Sequence, residues 1–204
     1  MNIGIVTMAN RKQFEDPSFI KKLRSKDNHA FHLLIDAYSD HLYKTARGMG
    51  FDDHDAKDLT SNSFVTLLEI IEKFRGDSHI RTFLFGIFYR KVFEYRRTLK
   101  KHTNYETLDD VKQSYFDETG HWQESVYIKD PAKFSESLDN LKIIENCLGG
   151  VSDSQKAAFT LKVIEERDNE EICHILGITY TNMRKLIARA RVKLRACIEE
   201  SMAS

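Results

Sequence analysis

Two stretches of this sequence carry enough basic side chains to bind a polyanion. Residues 179–197, TYTNMRKLIARARVKLRAC, hold six Arg or Lys and no acid, and residues 81–103 hold seven against the single acid Glu94. Each such cation can neutralise a phosphate, and two basic helices on one chain are the footprint of a bipartite nucleic-acid binder. In the earlier stretch Phe83, Phe85, Phe88, Tyr89, Phe93 and Tyr95 interleave with Arg81, Arg90, Lys91, Arg96 and Arg97. Aromatics at that spacing mostly build core, and those left over can stack on unpaired bases. A third group, Asp52, Asp53, Asp55 and Asp58 around His54, has the residue types of a metal or phosphohydrolase centre. Such a centre needs ligands converging from separate elements. These acids instead suit one helix N-terminus, where they complement the helix dipole. Cys173-His174 has no second pair at zinc-ligand spacing, and there is no Gly-rich phosphate loop or Ser-His-Asp pattern. The expectation is a protein without catalysis of its own, without a cofactor and without a metal.

A basic helix reads DNA only when neighbouring elements hold it in the groove. From Ser152 the pattern supplies them. Ser152 can cap a first helix, with Gln155 completing a capping box, and Phe159, Leu161, Val163 and Ile164 offer a core face. Asp168 or Asn169 caps a short helix buried through Ile172, Ile175 and Leu176; Gly177 stops it, and Ile178 packs in the turn. Thr179 caps a third helix whose Met183, Ile187, Ala190 and Leu194 form one apolar stripe. A short helix, a tight Gly turn and a longer helix make a helix-turn-helix. Thr181, Arg184, Lys185 and Ala188 share another face near the N-terminal end, where base edges are read. Arg suits guanine, Asn182 adenine, and Ala188 or the Thr181 methyl a thymine methyl. Arg189, Arg191, Lys193 and Arg195 lie further along, toward phosphates.

The 204 residues are 41% hydrophobic and 30% charged, with 9 Gly and 2 Pro. So few turn formers argue against an all-β fold. No apolar run is long enough to insert in a membrane, and MNIGIVTMANRKQ does not read as a signal peptide. Three cysteines without C-x-x-C spacing argue against a disulfide framework and for a reducing cytoplasm. Net charge is zero, but residues 1–103 carry +5, residues 104–140 carry −6 and residues 141–204 carry +1. The acidic piece, with Gly120 and Pro131, lacks helical period and reads as a linker. Its Tyr105, Tyr115, Phe116, Trp122 and Tyr127 are too many for a purely solvated spacer. In the first half Phe31, Leu34, Ile35, Tyr38 and Leu42 form one helix face, and Ala56, Leu59, Phe64, Leu67, Leu68 and Ile71 a second. Residues 75–78, Arg-Gly-Asp-Ser, read as a turn. The expected fold is all-α: two small helical domains joined by an acidic, largely irregular linker, the second domain a helix-turn-helix. The expected boundaries are an extension over 1–20 with no assigned role, a first domain over 21–103, the linker over 104–137 and a second domain over 138–204.

The strings AFHLLIDAYSDHLYKTARGM, DAKDLTSNSFVTLLEIIEKFRGDSHIRTFLFGIFYRKVFEYRR and EEICHILGITYTNMRKLIARARVKLR resemble, in order and spacing, the two conserved domains of bacterial sigma-70-type factors. The short layout resembles their extracytoplasmic-function group. The resemblance implies a promoter-specificity subunit that binds the β and β′ subunits of core RNA polymerase and promoter DNA. It implies that Asp55, Asp58, Leu59, Asn62, Phe64 and Leu67 dock on the polymerase. It implies that Arg75, Asp77, Ser78, His79, Arg81, Thr82, Phe83, Tyr89, Arg90, Arg96 and Arg97 meet the −10 element and assist its melting. Thr181, Asn182, Arg184, Lys185, Ala188 and Arg189 would read the −35 element, the linker would thread toward the polymerase active centre, and an anti-sigma factor would hold the protein inactive. Departures from the family pattern fall at Phe83 (usually Trp), Arg90 (usually small and polar) and Ser61-Asn62 (usually Gln-Glu). Rival readings are a stand-alone helix-turn-helix regulator and a sigma mimic that occupies polymerase without opening promoters.

Overall fold

Aspartates start four of the described helices. In the computed structural model, which describes Phe14, residues 16–102, residue 143 and residues 146–203, Asp16 caps α1 (Pro17–Arg24), accepting from the Ser18 N–H at 2.8 Å. Asp27 caps α2 (Asn28–Gly48) through Ala30 N–H, and Asp52 caps α3 (Asp53–Ile70) through Asp55 N–H. After α4 (Ile80–His102) and α5 (Asp153–Phe159), Asp168 caps α6 (Asn169–Leu176) through Glu171 N–H at 2.7 Å. Each carboxylate satisfies a backbone donor that the first helical turn leaves without a partner. The last helix, α7 (Tyr180–Ala203), starts after Gly177, whose left-handed backbone (φ 64°) ends α6. All regular elements among the described residues are helical. The expected linker and most of the expected N-terminal extension lie outside the described residues.

Helices α2 and α3 form an antiparallel pair, and α4 packs across them. Leu34, Tyr38, Leu42, Ala56, Leu67, Leu84, Phe85 and Phe88 are fully or almost fully buried between them. Helix α6 then lies along the far side of α4, and its Ile172 and Ile175 join the same apolar cluster together with Leu161, Met183 and Ile187. The close approach is at Gly86, where an added Cβ would stand 3.5 Å from the Ile175 carbonyl oxygen. The two halves therefore share one continuous core. A smaller cluster of Cys147, Val151, Ala190 and Leu194 lies under the C-terminal half of α7.

Three local expectations are corrected. Val163 and Ile164 are exposed rather than core. Residues Thr160–Ile164 form a π-type turn, with the Glu165 N–H bonded to the Thr160 carbonyl, and the wider turn rotates them outward while keeping Leu161 buried. Ser152 occupies the N-cap of α5 but its side chain makes no capping bond, so no capping box forms with Gln155. Cys147 and Cys197, expected as free thiols, form a disulfide across 50 residues of sequence. Packing of α7 over residues 146–149 brings their Cα atoms to 5.6 Å, within bonding reach; Cys173 remains free.

A bridge closing a loop of this length stabilises a fold by about 2–4 kcal/mol, mainly through the unfolded chain. Reduction of the wild-type chain is expected to lower its Tm by roughly 5–15 °C. Thermal melts followed by circular dichroism, with and without dithiothreitol, check this; identical melts would show that the bridge contributes nothing.

Candidate nucleic-acid interface

The N-terminal end of α7 is presented to solvent as the sequence requires. The Thr179 hydroxyl accepts from the Asn182 N–H at 3.3 Å, so the helix starts on its own cap. Met183, Ile187, Ala190 and Leu194 face inward and are buried, while Thr181, Asn182, Arg184, Lys185 and Arg189 are exposed. Arg184 lies over the Tyr180 ring at 6.0 Å. Ala188 is the exception. It is buried, so it supports the helix from inside and cannot reach a thymine methyl. The exposed face is thus a compact set of donors at a helix N-terminus, suited to base edges, with Arg191 continuing outward toward a backbone.

The face of α4 is divided. Arg90 and Arg97 are exposed, as are Arg75 and Asp77 in the preceding loop. His79 accepts the Arg81 N–H at its Nδ1 (2.9 Å) and fixes the first turn of the helix. Phe83 is half-buried against Phe74, ring centroids 5.0 Å apart. Tyr89, expected on the DNA face, lies fully in the core between Phe88 and Phe93. Burial drives its phenol far above the ordinary range, and no base can reach it. An open cleft of about 600 Å³ separates this face from α6, lined by Phe83, Arg90, Phe93 and Arg97 on one side and His174 and Leu176 on the other.

Arg81, Thr82 and Arg96 do not face solvent freely. One oxygen of Glu171, in α6, accepts from Arg81 Nη2 at 2.7 Å, from the Thr82 hydroxyl at 3.1 Å and from Arg167 Nη1 at 3.4 Å. Arg167 is itself buried, bonds Glu165 at 2.9 Å and lies 5.4 Å over the Phe85 ring. His41 in α2 reaches the same Glu165 at 3.1 Å. Burial alone would raise the Glu165 carboxyl, but the hydrogen bonds and positive charge of His41 and Arg167 outweigh it and hold the group below its ordinary value. At the other end of α4, Arg96 stacks on Phe51 at 4.1 Å, donates to the Met49 carbonyl at 2.9 Å and pairs with Asp153 at 3.4 Å.

The α3 helix sorts its expected contact residues in an informative way. Leu59, Phe64 and Leu67 are buried and hold the helix in place, so they are not available to a partner. Asp55 is taken up by a hydrogen bond from the Tyr95 hydroxyl, which raises that phenol above its ordinary value. The face left in solvent carries Asp58, Ser61, Asn62, Val65 and Leu68. Val65 and Leu68 are 52% and 39% exposed; neither was expected as a contact, and Leu68, expected on the core face of this helix, is corrected to a surface position because it lies at the edge of the buried stripe. Three residues apart, the two side chains lie next to each other on this exposed face. At the start of the helix, Asp53 bonds Lys57 and Tyr43, which holds its carboxyl below the ordinary value, while His54 lies beside Asp55 and Asp58. These groups serve the helix terminus and its neighbours. Among the described residues no helix is long and apolar enough to cross a membrane.

Two family models match the chain. "Sigma-70 region 2" covers residues 34–102 and "Sigma-70, region 4" covers residues 141–194. A "Probable RNA polymerase sigma factor" of Haemophilus influenzae is 26% identical over 152 residues, 72% of this chain and 78% of that protein. The "ECF RNA polymerase sigma-E factor" of Escherichia coli is 23% identical over 180 residues, 88% of this chain and 92% of its own. The fold is similar to that of CnrH, solved in complex with the cytosolic domain of CnrY, with a TM-score of 0.63 at 20% identity over 91% of this chain and 98% of that one. It is also similar to the Bartonella quintana sigma factor RpoE, solved in complex with the anti-sigma factor NepR, with a TM-score of 0.59 at 21% identity over 83% and 96%. The two matched regions take up more than half of the sequence, in the family's order and on the family's fold, and the chain belongs to the bacterial sigma-70 family, in its extracytoplasmic-function group.

Proposed function

We propose a division of labour for this promoter-specificity factor of RNA polymerase. The observation that carries it is the exposed start of α7, where Thr181, Asn182, Arg184, Lys185 and Arg189 stand together outside a buried apolar stripe. This end of the helix enters the major groove of the −35 element. Arg184 and Lys185 pair with guanine edges, Asn182 pairs with adenine, and Arg189 and Arg191 hold phosphates. In the other half, Arg75, Asp77, Ser78 and His79 hold an unpaired base of the −10 element, and α4 follows the strand through Arg81, Thr82, Phe83, Arg90, Arg96 and Arg97. Core polymerase docks on the exposed face of α3, through Asp58, Asn62, Val65 and Leu68. The chain acts in the cytoplasm beside the polymerase, where the Cys147–Cys197 bridge is open to reduction by the thiol pool. A protein inhibitor of the anti-sigma kind binds it as well, a reading supported by the fold it shares with the two complexed sigma factors.

Two outcomes are expected. Val65→Asp with Leu68→Asp places two charges on an interface that must desolvate them, and retention of the chain by core polymerase falls by at least about tenfold. Pull-down against purified core polymerase measures this, with circular dichroism confirming that helicity is unchanged. Arg184→Ala removes a base contact worth about 1–3 kcal/mol. Run-off transcription from a promoter library drops about tenfold with this variant while polymerase retention is unaffected. Full transcription would exclude α7 from −35 reading; loss of retention as well would show the fold, not the reading, to have failed.

A further inference from the structure

We propose that the Cys147–Cys197 bridge is a reversible thiol–disulfide site, opened by small thiols at Cys197 and closed by hydroperoxides, whose bridged state braces α7 for reading DNA. The coupling to DNA rests on the reading of α7 as the −35 helix; the thiol chemistry does not.

The two sulfurs differ in access. Cys147 is 2% exposed beneath α7, while Cys197 is half-buried. A small thiol or peroxide therefore meets Cys197 first, and Cys147 is the partner that leaves or resolves. The bridge also stands where α7 is least supported. Cys197 falls at the next position of the apolar stripe Met183, Ile187, Ala190, Leu194. The front of that stripe, Met183 and Ile187, belongs to the main core with Ile172 and Ile175 of α6. The back, Ala190 and Leu194, is covered among the described residues by the buried Cys147 and Val151, with Leu148, Phe159 and Ile198 at the edge. Gly149 and Gly150 follow Cys147, add no side chain to that cover and leave the backbone there more freedom than other residues. So small an apolar cluster needs a covalent staple to hold the back of α7 on the segment before α5. The bridge closes a loop, 50 residues in separation, that contains α5, α6 and the reading end of α7.

Both directions balance with reagents of two classes. In opening, a small thiolate attacks the Cys197 sulfur; the S–S bond breaks and its electron pair leaves on Cys147, which takes up a proton. A second small thiolate attacks the added sulfur of the mixed disulfide, and Cys197 leaves as the second protein thiol. Two small thiols are oxidised to one small disulfide as the bridge is reduced. In closing, the Cys197 thiolate attacks a hydroperoxide. Its O–O bond breaks, one oxygen stays on Cys197 as a sulfenic acid, and the other leaves in water or an alcohol. The Cys147 thiolate displaces the sulfenic oxygen, which leaves as water, and the bridge re-forms. In the bridged chain α7 is held along its length. In the reduced chain its back half is free to fray, and binding DNA must order it again at a cost in affinity. Helices α3 and α4 lie outside the loop, so the hold on polymerase is the same in both states.

Thiol labelling and transcription test the two parts separately, both on the full chain. With Cys147→Ser, glutathione disulfide is expected to leave a glutathione on Cys197, located by peptide mass mapping. With Cys197→Ser, Cys147 is expected to react at least about tenfold more slowly. Equal rates would remove Cys197 from the attacked role. A wild-type bridge that survives excess reduced glutathione, or does not re-form with hydrogen peroxide, would overturn the reversible site. In run-off transcription from the promoter library, bridged wild type is expected to exceed both reduced wild type and Cys197→Ser by about fivefold, with polymerase retention and helicity equal. Dithiothreitol is expected to leave transcription by Cys197→Ser unchanged; a change there would assign the effect to the polymerase and overturn the coupling. Equal transcription from bridged and unbridged chains would overturn it too. Arg184→Ala in the bridged chain then separates the two failures. If that variant loses transcription, α7 reads the promoter and the redox coupling alone has failed; if it transcribes fully, the reading of α7 has failed with it.

Discussion

The arrangement of this chain depends on one constraint: a carboxylate buried between helices must be matched by cations. Glu171 and Glu165 sit at the meeting of α2, α4 and α6, each about 10% exposed. Glu165 is paired with His41 and Arg167, and Glu171 with Arg81 and Arg167. Their directional hydrogen bonds span the contact between the helix-turn-helix half and the first half. The apolar cluster beneath them, which includes Phe85, Ile87, Ile172 and Ile175, supplies attraction without direction.

Much of the fold was legible because helices announce themselves by caps and period. Asp168, Gly177 and Thr179 mark the boundaries of the helix-turn-helix in sequence, and their side chains and backbone act there as those residue types do. The buried stripe Met183, Ile187, Ala190, Leu194 follows from the 3.6-residue period alone. Where the period was broken the reading failed. The π-type turn at Thr160–Ile164 adds one residue to a helical turn, and no residue type in that stretch signals it. The Cys147–Cys197 bridge depends on tertiary packing of segments 50 residues apart, which spacing does not encode.

The candidate site was legible in part, for a related reason. Exposed polar ends of helices are predicted well by faces, so Thr181, Asn182, Arg184, Lys185 and Arg189 are exposed at the start of α7 as their spacing requires. Docking surfaces are predicted poorly, because the resemblance assigns contacts to Leu59, Phe64 and Leu67, which the helical period also assigns to the core. Leu59, Phe64 and Leu67 looked like contacts and are packing; Val65 and Leu68, on the opposite face, are the apolar groups left in water. Tyr89 and Ala188 belong to the same class of error. Each lies on a helix rich in exposed basic side chains, and each is buried against the core.

The seam between the halves combines features that favour a reversible contact over a permanent one. An all-apolar interface of the same size would gain free energy with every buried methylene and would part reluctantly. Here Arg81, Arg167, Glu165 and Glu171 must be desolvated on closing, and that cost offsets much of their mutual attraction. The polar groups therefore add direction to the closed form while adding little to its depth. Two small helical halves, each with limited apolar surface of its own, would be less stable apart than packed. Sharing a core gives them a folded resting form, and the charged seam keeps that form within reach of opening.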